Sequence, residues 1–395
     1  MNKFALLAAV FPLVALFSCS SNFVEVQNDM MGKMTATMNL AIQQEKKIPL
    51  DSFSAPKPQY IQLYTDDSNK VNLTFLNTFA GSIYVYDYIT SELKRTIKFR
   101  KDDKDGIKMP LGYYIKSFDS IYIYNKTNNE IVLINDSGKV SSRISLIENY
   151  PVRALAWTYK YPQYYPSTAA PLMGTAQELT IPGQYMLSLP DSIAERFKFE
   201  AHIDLSNNSV SFSRQYPPSL YAHNYFWENE GLFTNVYCDL SPNNKMVYSF
   251  PVSHNLFVAD KSKEGYSIVY GGSNEAGTIT SFKNKLSTEA LILEVCKTDL
   301  YAGIRYDKYR KVYYRFLRKS MPDATSMTTL VEKPLSVIIL DEKFKYLGET
   351  TIGTCSNFNW ENTFVTEEGL NIEYLDKKDI TEAYLHFKIF KPKDL

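Results

Sequence analysis

The chain has 395 residues, and its 43 basic and 43 acidic side chains give a formal net charge of zero. A balanced charge provides no overall field to attract nucleic acid, so that class of partner is not expected. Thirty Tyr and 23 Phe stand beside only 16 Gly, a composition that favours pleated, half-buried strands.

Residues 1–18 are typical of a secretory signal peptide. One early charge, Lys3, precedes an apolar run over residues 4–17, which is shorter than the roughly 20 residues that span a bilayer. Residues 16–19 (LFSC) resemble the bacterial lipobox, so we predict lipid attachment at Cys19, with an ordinary signal peptide and an incidental cysteine as the alternative. The predicted location is the cell envelope, anchored to the outer membrane on its periplasmic side or at the cell surface.

The stretch between the signal and residue 59 is predicted to be a tether, residues 19–58. Within it, residues 28–47 have helical spacing, with Met30, Met34, Met38 and Ile42 on one stripe. A short docking helix and a mobile tether both fit this pattern.

From residue 59 onward the sequence reads as one all-β domain, residues 59–395. The string SIYVYD at 82–87 is echoed by SIYIYN at 120–125, and each is followed by a polar turn and a further strand. A second echo relates residues 202–213 to residues 237–250, each built around Asp-Leu-Ser and Asn-Asn. Repeated antiparallel meanders of this size predict a β-propeller with four-stranded blades.

Length divided by blade size favours six blades, with seven as the second choice and a two-sheet sandwich as the main alternative. The 38-residue offset of the first echo is short for a blade, so other blades must be long, notably one that holds an insertion near residues 157–185. Residues 59–67 are expected to close the ring beside the last strand, because an open edge strand invites aggregation.

The lipobox, the polar tether, the IYIYN…NEI…INDSGK meander and YAGIRYDKYRKVYYRFL at 301–317 together resemble a known family. It is a family of uncharacterised lipoproteins from Bacteroides-type bacteria, a domain of unknown function related to six-bladed propellers of the TolB type. The resemblance covers essentially the whole mature chain. It implies a fold and a location, and it carries no catalytic residues.

Local motifs for catalysis, metals or cofactors are missing from the sequence. The four histidines, His202, His223, His254 and His386, form no ligand pair, and no nucleophile elbow, phosphate loop or dinucleotide fingerprint occurs. We therefore expect no metal and no cofactor. Apart from Cys19, three widely spaced cysteines (238, 296 and 355) are either buried small hydrophobes or one disulfide and one thiol.

Aromatic side chains supply the candidate ligand-binding residues. Residues 156–171 (AWTYKYPQYYPSTAAP) combine rings with prolines, which place the rings on a loop rather than inside a sheet. A second cluster lies at 221–231, and its Trp-Glu-Asn recurs at 360–362, which favours a repeated structural anchor. For the first cluster the alternative, which we favour, is that its rings pack on the propeller face as a small satellite core. The candidates for ligand binding are Trp157, Tyr159, Tyr161, Tyr164, Tyr165, Tyr225 and Trp227.

Two classes of function agree with the sequence. The first is a non-catalytic binding module for a glycan, a peptide or an envelope protein, attached to the membrane by its lipid and monomeric. The second is a propeller enzyme, a hydrolase or lyase, with a site at the mouth of the central channel that distant loops assemble. We favour the binding module, because no catalytic motif is visible.

Overall fold

A computed structural model describes residues 23–54, 57–148, 158–185, 188–227, 232–260, 264–376, 379 and 381–395. In these residues six antiparallel sheets of four strands follow one another around a ring, and a two-stranded sheet lies outside them. The predicted six-bladed β-propeller is thus confirmed.

Two strands precede the first blade: β1 belongs to the two-stranded sheet, and β2 belongs to the last blade. In chain order, the strands before and in blades one and two are β1 (Glu25–Val26), β2 (Met38–Pro49), β3 (Ile61–Thr65), β4 (Val71–Asn77), β5 (Ser82–Asp87), β6 (Leu93–Lys98), β7 (Pro110–Ser117), β8 (Ser120–Asn125), β9 (Glu130–Ile134) and β10 (Val140–Ser145).

Blades three to six follow with the same order of strands. They contain β11 (Met173–Gly174), β12 (Glu178–Pro182), β13 (Glu200–Asp204), β14 (Val210–Ser213), β15 (Tyr237–Leu240), β16 (Met246–Ser249), β17 (Asn255–Ala259), β18 (Ser267–Tyr270), β19 (Ile279–Thr280, paired with β1), β20 (Leu300–Asp307), β21 (Val312–Arg318), β22 (Pro334–Asp341), β23 (Tyr346–Thr354), β24 (Phe358–Thr366), β25 (Gly369–Tyr374) and β26 (Tyr384–Asp394).

Helix is scarce, as the sequence predicts. The helices are α1 (Asp191–Ala194), α2 (Pro218–Tyr221) and α3 (Thr288–Lys297), with a 3-10 turn at Leu330–Glu332. The Ser287 side chain caps the start of α3, and the buried Lys333 ammonium donates to the Val295 and Thr298 carbonyls at its end, both at 2.7 Å.

Strand β2 closes the ring, and this corrects two predictions. It pairs with β26 over its whole length, so residues 38–49 are neither helix nor tether, and the propeller begins before residue 59. The four-residue spacing of the apolar side chains does not distinguish a helix from a strand, because residues four apart share a face in both. Residues 61–65, expected to close the ring, instead form the innermost strand of blade one and pair with β4.

The first sequence echo joins strands that are not equivalent. SIYVYD forms β5, the third strand of blade one, whereas SIYIYN forms β8, the second strand of blade two. Both are central strands buried on their two faces between neighbouring blades, and that shared environment selects alternating Ile and Tyr. The short offset therefore does not measure a blade.

The docking of β2 predicts a position-dependent effect of truncation. Ile48 is fully buried opposite Leu385, and Ile42 on the same strand is 52% exposed. We expect Ile48→Ala to lower the free energy of unfolding by about 2–5 kcal/mol and Ile42→Ala to change it by less than about 0.5 kcal/mol, measured by chemical denaturation. Equal, small effects of the two changes would contradict a docked closing strand.

Candidate functional site

The long connections all leave the propeller on one face. Because strands alternate in direction, the links between blades and those between second and third strands emerge together, and we call this side the insertion face. The opposite side, the turn face, carries the shorter hairpin connections. The longest links on the insertion face are 146–172, 183–199, 214–236, 271–299 and 319–333.

The first of these links enters the central channel. Thr168 Oγ accepts a hydrogen bond from the Ile61 amide (2.8 Å) and donates one to Asn362 Oδ1 (2.9 Å). The Arg305 guanidinium donates to the Thr168 carbonyl, and the Cys238 amide donates to the Ala169 carbonyl at 3.4 Å. Residues 166–172, the channel plug, therefore bond to blades one, four, five and six at once.

Two glycines make room for the channel plug. A Cβ on Gly112 would lie 2.6 Å from Pro166, and one on Gly303 would lie 3.3 Å from Ala169. Without a Cβ at these positions, β7 and β20 can pack directly against the plug. The plug thus occupies the channel at the level of these two glycines.

The buried guanidinium of Arg305 bonds the plug to the blades. Arg305 also donates to the Thr363 carbonyl (2.8 Å) and to its neighbour Ile304 (3.1 Å), so its donors are shared between blades and plug. Burial lowers the pKa of Arg305, and the nearby Asp239 opposes that shift. A guanidinium without acceptors would be costly here, which makes the carbonyl of Thr168 a required partner.

Three of the seven predicted ligand-binding rings are buried. Tyr161 and Tyr164 are each 1% exposed, and Tyr164 packs edge-on against Tyr124 with ring centroids 5.6 Å apart. Trp227 is fully buried, and its indole N–H donates to the Leu220 carbonyl at 2.8 Å. These three rings belong to the core.

The other candidate rings lie apart. Tyr159 and Tyr165 are exposed, Tyr225 is half-buried, and Trp157 is outside the described residues. The structure therefore does not gather the seven candidates into one binding surface. Residues 158–172 do lie outside the four-stranded sheets, as the prolines predict, but they bury Tyr161 and Tyr164 while Tyr159 and Tyr165 stay exposed.

A cleft of about 570 Å³ opens on the insertion face between blades six and one. Its size falls in the range of sites for small ligands, about 300–1,000 Å³. It is lined by Ser52, Phe53, Ser54, Lys57, Pro58, Gln59, Phe75, Leu76, Asn77, Thr78, Phe79, Asn359, Glu361 and Asn362.

A bulge in β24 positions the wall of this cleft. Asn359 pairs with Glu373 and Thr363 pairs with Ile372, so residues 360–362 are extra on the β24 side of the ladder. Bulges re-aim side chains and occur next to functional sites. Here the bulge buries Trp360 toward the centre of the ring and brings Glu361 and Asn362 to the cleft.

A buried carboxylate orders the amides of that wall. Glu373 Oε2 accepts hydrogen bonds from the side-chain N–H groups of Asn359 and Asn362, both at 2.7 Å. Burial raises the pKa of Glu373 to about 7, although the two hydrogen bonds act to lower it. Of the nearby charges, Lys57 lowers this pKa and Glu361 raises it. Glu373 is fully buried, so it orients cleft residues and does not itself line the cleft.

Glu361 is the acidic group that reaches the cleft. Its side chain is open to solvent, yet the walls surround it and reduce its hydration, which raises its pKa. Arg318, whose guanidinium lies 5.2 Å from the Trp360 ring centroid, opposes that shift. A carboxylate in such a position can accept hydrogen bonds from a ligand.

A second cluster, between blades three and four, resembles a hydrolytic triad in part. His202 Nε2 lies 2.7 Å from Ser213 Oγ, and Nδ1 lies 3.3 Å from Glu178 Oε1. However, Nε2 also lies 2.9 Å from the buried Glu200. Burial acts to lower the pKa of His202, but the two carboxylates outweigh it and raise the pKa. Because Nε2 is shared between Ser213 and Glu200, the arrangement differs from a triad in which the ring serves the hydroxyl alone.

The sequence contained a signal for the cleft. The Trp-Glu-Asn echo at 360–362 predicts a structural anchor, and Trp360 is buried, with 7% of its surface exposed. Glu361 and Asn362 nevertheless line the cleft. The contributions of Phe53 and Phe79 had no local signal, because blade closure alone brings them beside β24.

No set of three His, Cys, Asp or Glu side chains that could hold a metal occurs among the described residues. In the same part of the chain, no helix is long and apolar enough to cross a membrane. Cys238 and Cys296 are buried thiols and Cys355 is half-buried, with no disulfide among them.

Comparison with known proteins agrees with this architecture. A family model described as a domain of unknown function, DUF4221, matches residues 37–351, from the closing strand to blade five. The chain belongs to the DUF4221 family. The resemblance inferred from the sequence is thus confirmed for family and fold, and no curated protein matches the chain.

Solved structures give the same result. A DUF4221 family member from Bacteroides vulgatus has a TM-score of 0.75 at 19% identity, covering 91% of this chain and 99% of that chain. A putative exported protein from Bacteroides fragilis has a TM-score of 0.49 at 8% identity, covering 90% and 95%. Virginiamycin B lyase from Staphylococcus aureus has a TM-score of 0.42 at 10% identity, covering 93% and 98%. The first of these shows the fold that the DUF4221 chains share.

The buried carboxyl predicts a pH dependence of stability. Between pH 4.5 and 7 the folded chain keeps a proton on Glu373 that the unfolded chain releases, so stability falls as pH rises through this window. We expect the wild type to lose roughly 3 kcal/mol more than Glu373→Gln between pH 4.5 and 8, measured by urea denaturation. The exposed Glu92→Gln is the control, and parallel curves for the wild type and Glu373→Gln would refute the assignment.

Proposed function

We propose that this DUF4221 chain is a non-catalytic binding module whose ligand site is the cleft between blades six and one. The observation that carries the proposal is the cleft itself, a concave surface of polar and apolar groups on the insertion face, beside a channel that the plug occupies. Ligand sites in proteins are typically concave and combine apolar walls with a few placed polar groups.

The arrangement of acidic groups argues against catalysis in the cleft. General acid–base chemistry needs the acting group within hydrogen-bond reach of the substrate. Glu373, with a pKa suited to proton transfer, is sealed behind Asn359 and Asn362. Glu361 alone reaches the cleft as an acid, and a paired carboxylate on a facing wall is missing from its lining.

The same proposal places the protein in the cell envelope, held to the outer membrane by lipid on Cys19. Three residues separate Cys19 from Phe23, which already docks on the propeller with Lys283 Nζ 4.9 Å from its ring centroid. The Ser281 amide then donates to the Val24 carbonyl (2.9 Å), next to the β1–β19 pair. A lipid on Cys19 would therefore hold the body of the propeller close to the bilayer, without a long tether.

The anchor is tested by removing its thiol. We expect Cys19→Ser to abolish incorporation of labelled palmitate and to shift the protein from the membrane to the soluble envelope fraction, because the hydrocarbon chains supply the attachment. Cys355→Ser is the matched control and should remain at the membrane. Labelled, membrane-bound Cys19→Ser protein would refute the anchor.

The site is tested by locating ligand protection in the wild type. With soluble glycan or peptide pools from the cell envelope, we expect hydrogen-exchange mass spectrometry to show protection in residues 52–59, 75–79 and 359–362. Phe79→Ala should lose this protection, because Phe79 is 84% exposed beside the cleft, whereas Tyr309→Ala on the turn face should retain it. Protection confined to other blades, or none with any pool, would contradict the site.

A further inference from the structure

The cleft contains polar groups that the fold already uses and others that it leaves unused. Asn362 is fully engaged, since it donates to the Pro58 carbonyl and to Glu373 and accepts from Thr168. Asn77 likewise donates to the Phe53 carbonyl (2.8 Å) and accepts from the Ala80 amide (2.9 Å). These two amides shape the walls.

Three charged or polar side chains of the cleft have no hydrogen-bond partner among the described residues. The side chains of Lys57, Gln59 and Glu361 make no hydrogen bond there, and all three are exposed. Asn359 Nδ2 donates one bond to Glu373, which leaves its second N–H unused. Donors and acceptors are therefore mixed, and the charges of Lys57 and Glu361 offset each other.

Two phenylalanine rings stand beside these groups with their faces in solvent. Phe79 is 84% exposed and Phe53 is 69% exposed, although both are apolar. An exposed pair of rings at a cleft is a site for apolar contact at low conformational cost. The ligand should then combine an apolar face with groups that both donate and accept hydrogen bonds.

We infer that the cleft binds a saccharide, and this inference rests on the proposed function. A sugar ring offers a C–H face to Phe79 or Phe53, and its hydroxyl groups donate to Glu361 and accept from Gln59, Asn359 and Lys57. The near balance of charge suits a neutral sugar better than a polyanion.

The backbone beside the cleft disfavours an extended peptide as the occupant. A peptide that adds as a strand needs a continuous free edge with available N–H and C=O groups. The edge of β24 is interrupted by the bulge at 360–362. Arg305 already donates a hydrogen bond to the Thr363 carbonyl, so a peptide could not use that carbonyl freely. Glycan recognition by side chains needs no such edge.

The test measures the binding of the chain from residue 20 onward to a saccharide array and to a peptide array. We expect the wild type to bind neutral saccharides, and expect Phe79→Ala and Glu361→Gln each to weaken binding by about tenfold. Tyr309→Ala and Glu92→Gln, both on the turn face, are the controls and should bind as the wild type does. Melting temperatures confirm that the four variants fold.

The other outcomes separate the two proposals. Binding of peptides alone, weakened by the same cleft changes, would overturn the saccharide inference and leave the cleft as the ligand site. Saccharide binding that neither cleft change affects would overturn the cleft for both proposals. Binding to neither array would overturn the saccharide inference and count against the binding module.

Discussion

The rest of the structure depends on the filling of the central channel. Six blades enclose a space that must be packed, and Thr168 provides the junction by bonding to β3 through Ile61 and to β24 through Asn362. Arg305 links the same residue to β20. Because the plug satisfies buried donors from several blades, it acts as part of the core rather than as a loop laid over it.

Because the plug fills the channel and the bulge in β24 shapes one wall, the cleft lies between blades six and one and not at the centre of the ring. Asn362 lies in the bulge and joins it to the plug, since it accepts a hydrogen bond from Thr168 and donates one to Glu373. Glu373 in turn holds Asn359, and the bulge turns Glu361 outward. The β24 wall of the cleft is thus continuous with the core through Asn362 and Glu373.

Much of the fold could be predicted from the sequence because central strands carry a local signature. Alternating Ile and Tyr at 82–87 and 120–125 predicts strands correctly. The signature does not say which strand of a blade it marks, since second and third strands share one environment. The site was harder to predict. Tyr161 and Tyr164 lie on a link between blades, and no local pattern shows that Tyr161 packs on Phe212 of β14 and Tyr164 on Tyr124. Only ring closure brings Phe79 and Glu361 to the same cleft.

Native-state amide exchange by NMR at Ile61 and Cys238 tests most directly whether the plug is part of the core. Their N–H groups donate to the plug, to Thr168 Oγ and to the Ala169 carbonyl. If the plug is part of the core, both amides should exchange only on global unfolding, with the same free energy as the ladder amides of β4 and β5. Exchange at Ile61 and Cys238 that is orders of magnitude faster than in that ladder would show an open channel and contradict the account.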